Sequence, residues 1–259
     1  MKDELGDRMK TYEAATRFEL PRRSYTIIRV DGKAFHTYTR GLDRPFDYGL
    51  TEDMDKTAEA LCKEIMGAQF AYVQSDEISI LVTDFAQTNT QAWFGNGLQK
   101  MCSISAAVAT EAFNRARLIR ACGDMDGDLR GEMLAKEYIE NVKGAMFDSR
   151  VFQIPQPVEV ENYFLWRYKD CLRNSISSVA QSKFSHKELH GKTSSNKLSD
   201  LKEIGVDFDS FDDGLKYGRL ILKESYNVPA TERYPEHERT KWVSKPYDKK
   251  LVSKLVPSY

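Results

Sequence analysis

The chain has 259 residues, 41% hydrophobic and 30% charged, and Lys+Arg 38 against Asp+Glu 39 leave a formal net charge of −1. That length supports one large domain with a sizeable core, and the charge balance excludes a protein that binds nucleic acid through bulk positive charge alone. A mean hydropathy of −0.55 without any run of about 18 apolar residues excludes a helical membrane span, the mixed-charge opening MKDELGDRMK predicts no secretory leader, and four cysteines without a C-x-x-C pair predict reduced thiols in a cytoplasmic protein, not a zinc or disulfide scaffold.

Residues 24–30, SYTIIRV, are β-branched and apolar and stop at Asp31-Gly32, which predicts a buried strand. Leu50, Met54, Ala58, Leu61 and Ile65 recur at helical spacing, and Gly67 closes that helix. Residues 69–74 predict a second strand, Ser75-Asp76-Glu77 a tight turn, and residues 78–83 the returning strand. A long amphipathic helix is predicted from Trp93 to Leu118, then a Gly/Asp-rich break at 122–131 and a fourth strand at 145–153. A second long helix follows from Val158 to Ser182. After it come a basic loop at 183–197, a short helix to Ile204, a strand at 217–223 and an exposed tail. The order strand, helix, strand, strand, helix, strand predicts an α+β fold, a ferredoxin-like βαββαβ sheet of the polymerase palm type. The expected division is a catalytic core over 1–155 and a C-terminal helical extension over 156–259, packed as one unit.

In that topology the first and third strands are antiparallel neighbours, so Asp31 should meet Asp76 and Glu77 at one sheet edge. Carboxylates brought together repel unless a cation sits between them. Mg2+ suits such a site, because it takes oxygen ligands and combines one or two carboxylates with substrate phosphates. Two such ions serve an in-line phosphoryl displacement. The alternative is that DG and SDE are ordinary turn residues. Gly32 lets the backbone approach a ligand, and successive N–H groups after it can nest a triphosphate. Lys33 and His36 either pair with phosphate or are solvated, and Phe35 is expected as a core plug.

RVDGKAFH at 29–36, RPFD at 44–47 and YVQSDEIS at 72–79 resemble the tRNA(His) guanylyltransferases and their prokaryotic guanylyltransferase-like relatives. LGDRMKTYE at 5–13, WRYKDCLRNSI at 166–176 and FSHKELHGK at 184–192 extend the resemblance almost end to end. It implies nucleotide addition to a tRNA 5′ end in the 3′-to-5′ direction, after activation of that end by ATP. It implies that Asp31, the Gly32 carbonyl and Asp76 hold two Mg2+, with Glu77 beside them in the catalytic set. It implies that Gly32, Lys33, Ala34, Phe35, His36, Ser75 and Asp76 line the nucleotide, ATP or GTP. Arg44 would sit near the activating ATP, and Arg29 and Lys100 would face a triphosphate. A homotetramer is also implied. The stretch Leu172 to Ser178 departs from the HINNLYN motif of the eukaryotic enzymes, and Asn96-Gly97 replaces a basic pair of that branch. These departures imply template-directed 5′-end repair, with guanylyl addition to tRNA(His) as a further activity. Lys187 and Lys192 are expected to contact tRNA phosphates, against the alternative of a solvated loop.

The rival functions are a GGDEF-type nucleotide cyclase and a non-catalytic RNA-recognition module. The first lacks its signature turn here. The second needs aromatic residues on its central strands, and the third strand, ISILVT, has none.

Overall fold

A computed structural model describes residues 3–122, 144–229 and 236–258. The break expected at 122–131 therefore lies almost wholly outside the described residues. Helix α1 (Glu4–Ala14) precedes strand β1 (Tyr25–Gly32). Then come α2 (Phe35–Tyr38), α3 (Tyr48–Glu64), β2 (Ala68–Gln74), β3 (Glu77–Val82), α4 (Leu98–Cys122) and β4 (Phe147–Ile154). The remainder is α5 (Pro157–Gln181), α6 (His186–Leu189), α7 (Ser194–Glu203), α8 (Asp213–Tyr217), β5 (Arg219–Val228), β6 (His237–Pro246) and α9 (Lys249–Leu255).

The first four strands pair in the order β4-β1-β3-β2, as the βαββαβ plan requires, and β5 and β6 extend the β2 edge to six strands. Alternate residues of each strand point to opposite faces. Ile28, Val30, Ile78 and Ile80 pack with Met54, Leu61, Met101 and Phe113 of α3 and α4. Tyr25, Ile27, Phe70, Tyr72 and Leu81 pack with Val160, Tyr163 and Phe164 of α5 and Val252 of α9. A third cluster joins Ile176, Val179 and Ala180 of α5 to Leu189, Leu201 and Phe208. Asp47 caps α3 by accepting from the Leu50 amide at 2.6 Å, which sets the start of the helix facing the site.

Two expectations are corrected. The tail is not exposed: β6 pairs along all of β5, Val252 and Val256 are buried, and the Tyr25 hydroxyl donates to the Pro257 carbonyl at 2.6 Å. Its residues carry little apolar periodicity because β6 is a charged edge strand with only Trp242 buried. The basic stretch 183–197 is not a loop, since Ser185 and Thr193 form capping boxes that start α6 and α7. Helix α1 was unexpected and has no buried residue. The boundary expected at residue 155 falls between β4 and α5, and strands from both sides of it share one sheet.

Candidate active site

Strand register assembles the site. Across the sheet end, Asp31 lies opposite Glu77 of β3 and opposite Asp148 of β4. Asp76 occupies the two-residue turn between β2 and β3, where Ser75 takes a left-handed φ of 46°. The turn is tied to the end of β1 because the Gly32 amide donates to the Asp76 carbonyl at 3.1 Å. Burial, and then the nearby Asp31 carboxylate, push the Asp76 carboxyl up to about 6 against the pull of backbone hydrogen bonding. The Lys33 amide donates to the Met146 carbonyl at 2.8 Å. Both amides are thus engaged, and nesting of a phosphate can begin only at Ala34, which is itself left-handed. Phe35 is buried among Tyr38, Phe113 and Phe147, and a Cβ on Gly32 would fall 2.2 Å from its ring. Its ring therefore plugs the core beneath the site.

Glu77 differs from the two aspartates. It is 8% exposed, and its Oε2 accepts from Arg167 Nη2 at 2.7 Å, with Arg29 Nε at 3.8 Å. Its Oε1 lies 3.3 Å from the Ser79 hydroxyl and 3.4 Å from Gln74 Nε2. Burial raises its carboxyl above the usual range, and Arg167 and then Arg29 draw it back part of the way. Arg29, expected to face a triphosphate, has its Nε beside Glu77.

Beside the turn, a cavity of about 330 Å3 is lined by His36, Arg44, Gln74, Ser75, Asn174, Ser178 and Arg219, among others. It brings three expected nucleotide residues, His36, Arg44 and Ser75, to one wall and residues of α5 to the other. Lys100 is not brought there. It sits in the first turn of α4, where the Leu98 amide donates to the Phe18 carbonyl at 2.9 Å, next to the segment entering β1. Within one chain Lys100 instead lies over the Phe94 ring at 5.8 Å. Lys187 is exposed on α6, whereas Lys192 donates to Asp200 at 2.6 Å.

Sequence reasoning assigned no role to Arg167, Asp148 or Arg150. Asp148 could have been found by counting register along the fourth strand. Arg150 Nη2 stands 3.6 Å from Asp148 and 3.9 Å from Asp31. Arg167 lies within WRYKDCLRNSI, but no pattern in that motif points it at Glu77, 90 positions away.

The donor set of Asp31, Asp76 and the Gly32 carbonyl is all oxygen, and it fits a hard divalent cation that completes its shell with water or phosphate. The raised Asp76 carboxyl has the same cause that a cation would relieve. Among the described residues no three Asp, Glu, His or Cys side chains form a cage, so such a cation would depend on ligands from outside the protein. No described helix is long and apolar enough to cross a membrane.

A family model described as tRNA(His) guanylyltransferase matches residues 6–155. The chain is 27% identical over 233 residues to an uncharacterized protein of Acanthamoeba polyphaga mimivirus, covering 85% of this chain and 77% of that one. It is 24% identical over 215 residues to the tRNA(His) guanylyltransferase of Debaryomyces hansenii, covering 78% and 74% of the two chains. Among solved structures, a bacterial tRNA(His) guanylyltransferase-like protein in complex with ATP superposes with a TM-score of 0.80 at 36% identity, covering 98% of this chain and 99% of that one. The Saccharomyces cerevisiae tRNA(His) guanylyltransferase shares the fold, with a TM-score of 0.63 at 22% identity over 82% of this chain and 91% of that one. An RNA-recognition module is set aside on physical grounds as well, because α5 covers the sheet face on which such modules stack bases. From the DG and SDE strand ends to the extent of these matches, the chain belongs to the tRNA(His) guanylyltransferase family of nucleotidyltransferases.

Proposed function

We propose that this chain adds nucleotides to the 5′ end of tRNA in the 3′-to-5′ direction, directed by the opposing template nucleotide. The observation that carries the reading is the register that sets Asp31 beside the Ser75-Asp76 turn, at the mouth of a cavity lined by His36 and Arg44. In the first step a 5′-phosphate oxygen of the tRNA attacks the α-phosphorus of ATP and pyrophosphate leaves. In the second, the 3′-hydroxyl of the incoming nucleotide attacks the activated 5′ phosphorus and AMP leaves. Asp31, Asp76 and the Gly32 carbonyl would hold two Mg2+, which when bound acidify the attacking hydroxyl and offset charge on the transferring phosphoryl group. Arg44 and His36 supply cationic or donor groups to phosphate oxygens on the cavity wall. Ser75 presents its hydroxyl from the same turn as Asp76.

The bacterial guanylyltransferase-like protein has been solved with ATP and with GTP, the latter at 35% identity to this chain, which supports both as nucleotides of this cavity. The departures at Leu172, Ser178 and Asn96-Gly97 support the templated reaction over addition of G alone. A 5′-extension assay tests this, comparing a tRNA that lacks its first nucleotide with the intact tRNA, each offered the four nucleotides separately. Incorporation only of the nucleotide complementary to the opposing base is expected. Incorporation of G whatever the template would overturn the templated reading, and an untouched RNA would overturn the reaction. A homotetramer is part of the proposal: Leu5, Met9 and Tyr12 of α1 and Ile119 of α4 are exposed apolar residues able to serve interfaces. A monomer by sedimentation velocity would refute that part. The four free cysteines suit a reducing cytoplasm.

A further inference from the structure

Glu77 carries a negative charge next to Asp76 in sequence and across from Asp31 on the same sheet face. Opposed residues of an antiparallel pair have Cβ atoms about 5 Å apart. A free glutamate there would compete for any cation held by Asp31. Both of its oxygens are instead engaged on the inward side. Oε1 meets Ser79 and Gln74, and Oε2 meets Arg167, which is 6% exposed. Arg167 is in turn fixed by Asp170 at 3.1 Å, and Asp170 is also bound by Arg173. The cluster is not built for stability alone: Arg167 Nε, Arg29 Nε and Gln74 Oε1 are buried without a hydrogen-bond partner. Replacing a buried ion pair by apolar residues of similar volume is often neutral or stabilising. What the ion pair does that they could not is hold a charge in one position.

We propose that Arg167 is a positioning residue of the nucleotidyl transfer, clamping Glu77 from helix α5 so that this carboxylate stays off the divalent ions and leaves Asp31 and Asp76 as their only carboxylate ligands. This rests on the proposed function for what the ions are used for, but the clamp itself is measurable without RNA. Mn2+ binding is followed by electron paramagnetic resonance in the wild type, Arg167→Met, Arg167→Lys, Glu77→Gln and the Arg167→Met/Glu77→Gln double variant. Thermal melts check folding, and kcat and nucleotide KM are measured beside them.

Glu77→Gln is expected to bind Mn2+ within twofold of the wild type. Arg167→Met frees Glu77 to coordinate, so Mn2+ should bind at least threefold more tightly while kcat falls at least tenfold and nucleotide KM moves little. The double variant should return Mn2+ affinity to the wild-type value, and Arg167→Lys should retain that value and recover part of kcat. A purely structural role would not tighten metal binding, so unchanged Mn2+ affinity in folded Arg167→Met overturns the proposal. A fivefold or greater loss of Mn2+ affinity in Glu77→Gln also overturns it, because Glu77 would then be a ligand. Should Arg167→Met lack a cooperative melt, the Glu77→Gln titration decides alone, unchanged affinity supporting the clamp. Expected Mn2+ behaviour in a protein that extends no 5′ end would refute the proposed reaction and support the clamp.

Discussion

Asp31 at the end of β1 and Asp76 in the β2–β3 turn are short side chains at the sheet end, whereas Glu77, opposite Asp31, is a longer one turned inward. Asp31→Ala and Asp76→Ala should each slow nucleotide addition to the tRNA end by about 100-fold or more, with melting temperatures no lower than the wild type. Retained turnover in either variant would remove that residue from the site. The Asp76 carboxyl gives a second test. Its value of about 6 in the folded protein stands above the usual 3.8, so the folded state binds the proton more tightly than the unfolded chain. Stability from this group is full below pH 4 and is lost as pH rises through about 6. Relative to Asp76→Asn, the metal-free wild type should lose up to about 3 kcal/mol over that window. The expected observation is equal melting at pH 4, with Asp76→Asn several °C higher at pH 7. A gap that does not vary with pH would contradict the assignment.

At the scale of elements, the hairpin β2–β3 and the end of β1 make the site, while α5 closes it from above and supplies Arg167. The proposed tRNA contacts lie on the capped helix α6, which carries Lys187, and on the turn from it to α7, which carries Lys192. Lys187 is free to meet phosphate, whereas Lys192 is already paired with Asp200. Lys187→Ala should therefore weaken tRNA binding and reduce the slope of log affinity against log salt by about 0.9, one phosphate contact. Lys192→Ala should change the slope less. Nucleotide binding should stay the same in both, and an unaltered slope in Lys187→Ala would exclude the contact. The order of strands and helices was legible because Ile28, Val30, Ile78, Ile80 and the Met54–Leu61 stripe repeat at periods of two and of 3.6. Strand β6 was not, since one buried Trp242 among Lys, Arg and Thr carries no such period.

Across the whole molecule, the C-terminal segment seals the face of the sheet that α5 leaves open. Tyr247 stacks on Tyr168 with ring centroids 4.7 Å apart and meets Tyr72 edge-on. Val252 and Val256 fill the cluster beneath. Truncation after Pro246 should cost about 4–6 kcal/mol, from two buried aliphatic side chains and part of an aromatic one. Denaturant unfolding would measure this, and a loss below about 1 kcal/mol would show that the segment is dispensable.

The amino-acid sequence by itself determined the alternation of elements, and with it that Asp31 must meet the Ser75-Asp76-Glu77 turn: a strand's register with its neighbour follows from topology once the elements are known. The residues also marked Phe35 as a core plug, and its ring is buried beside Phe113 and Phe147. Tertiary structure alone decided the partners of those residues. Arg167 reaches Glu77 from a helix 90 positions on, Lys100 lies over the Phe94 ring, and the tail folds onto the core. Side-chain direction and long-range packing settle such pairings, and neither leaves a periodic trace in the chain.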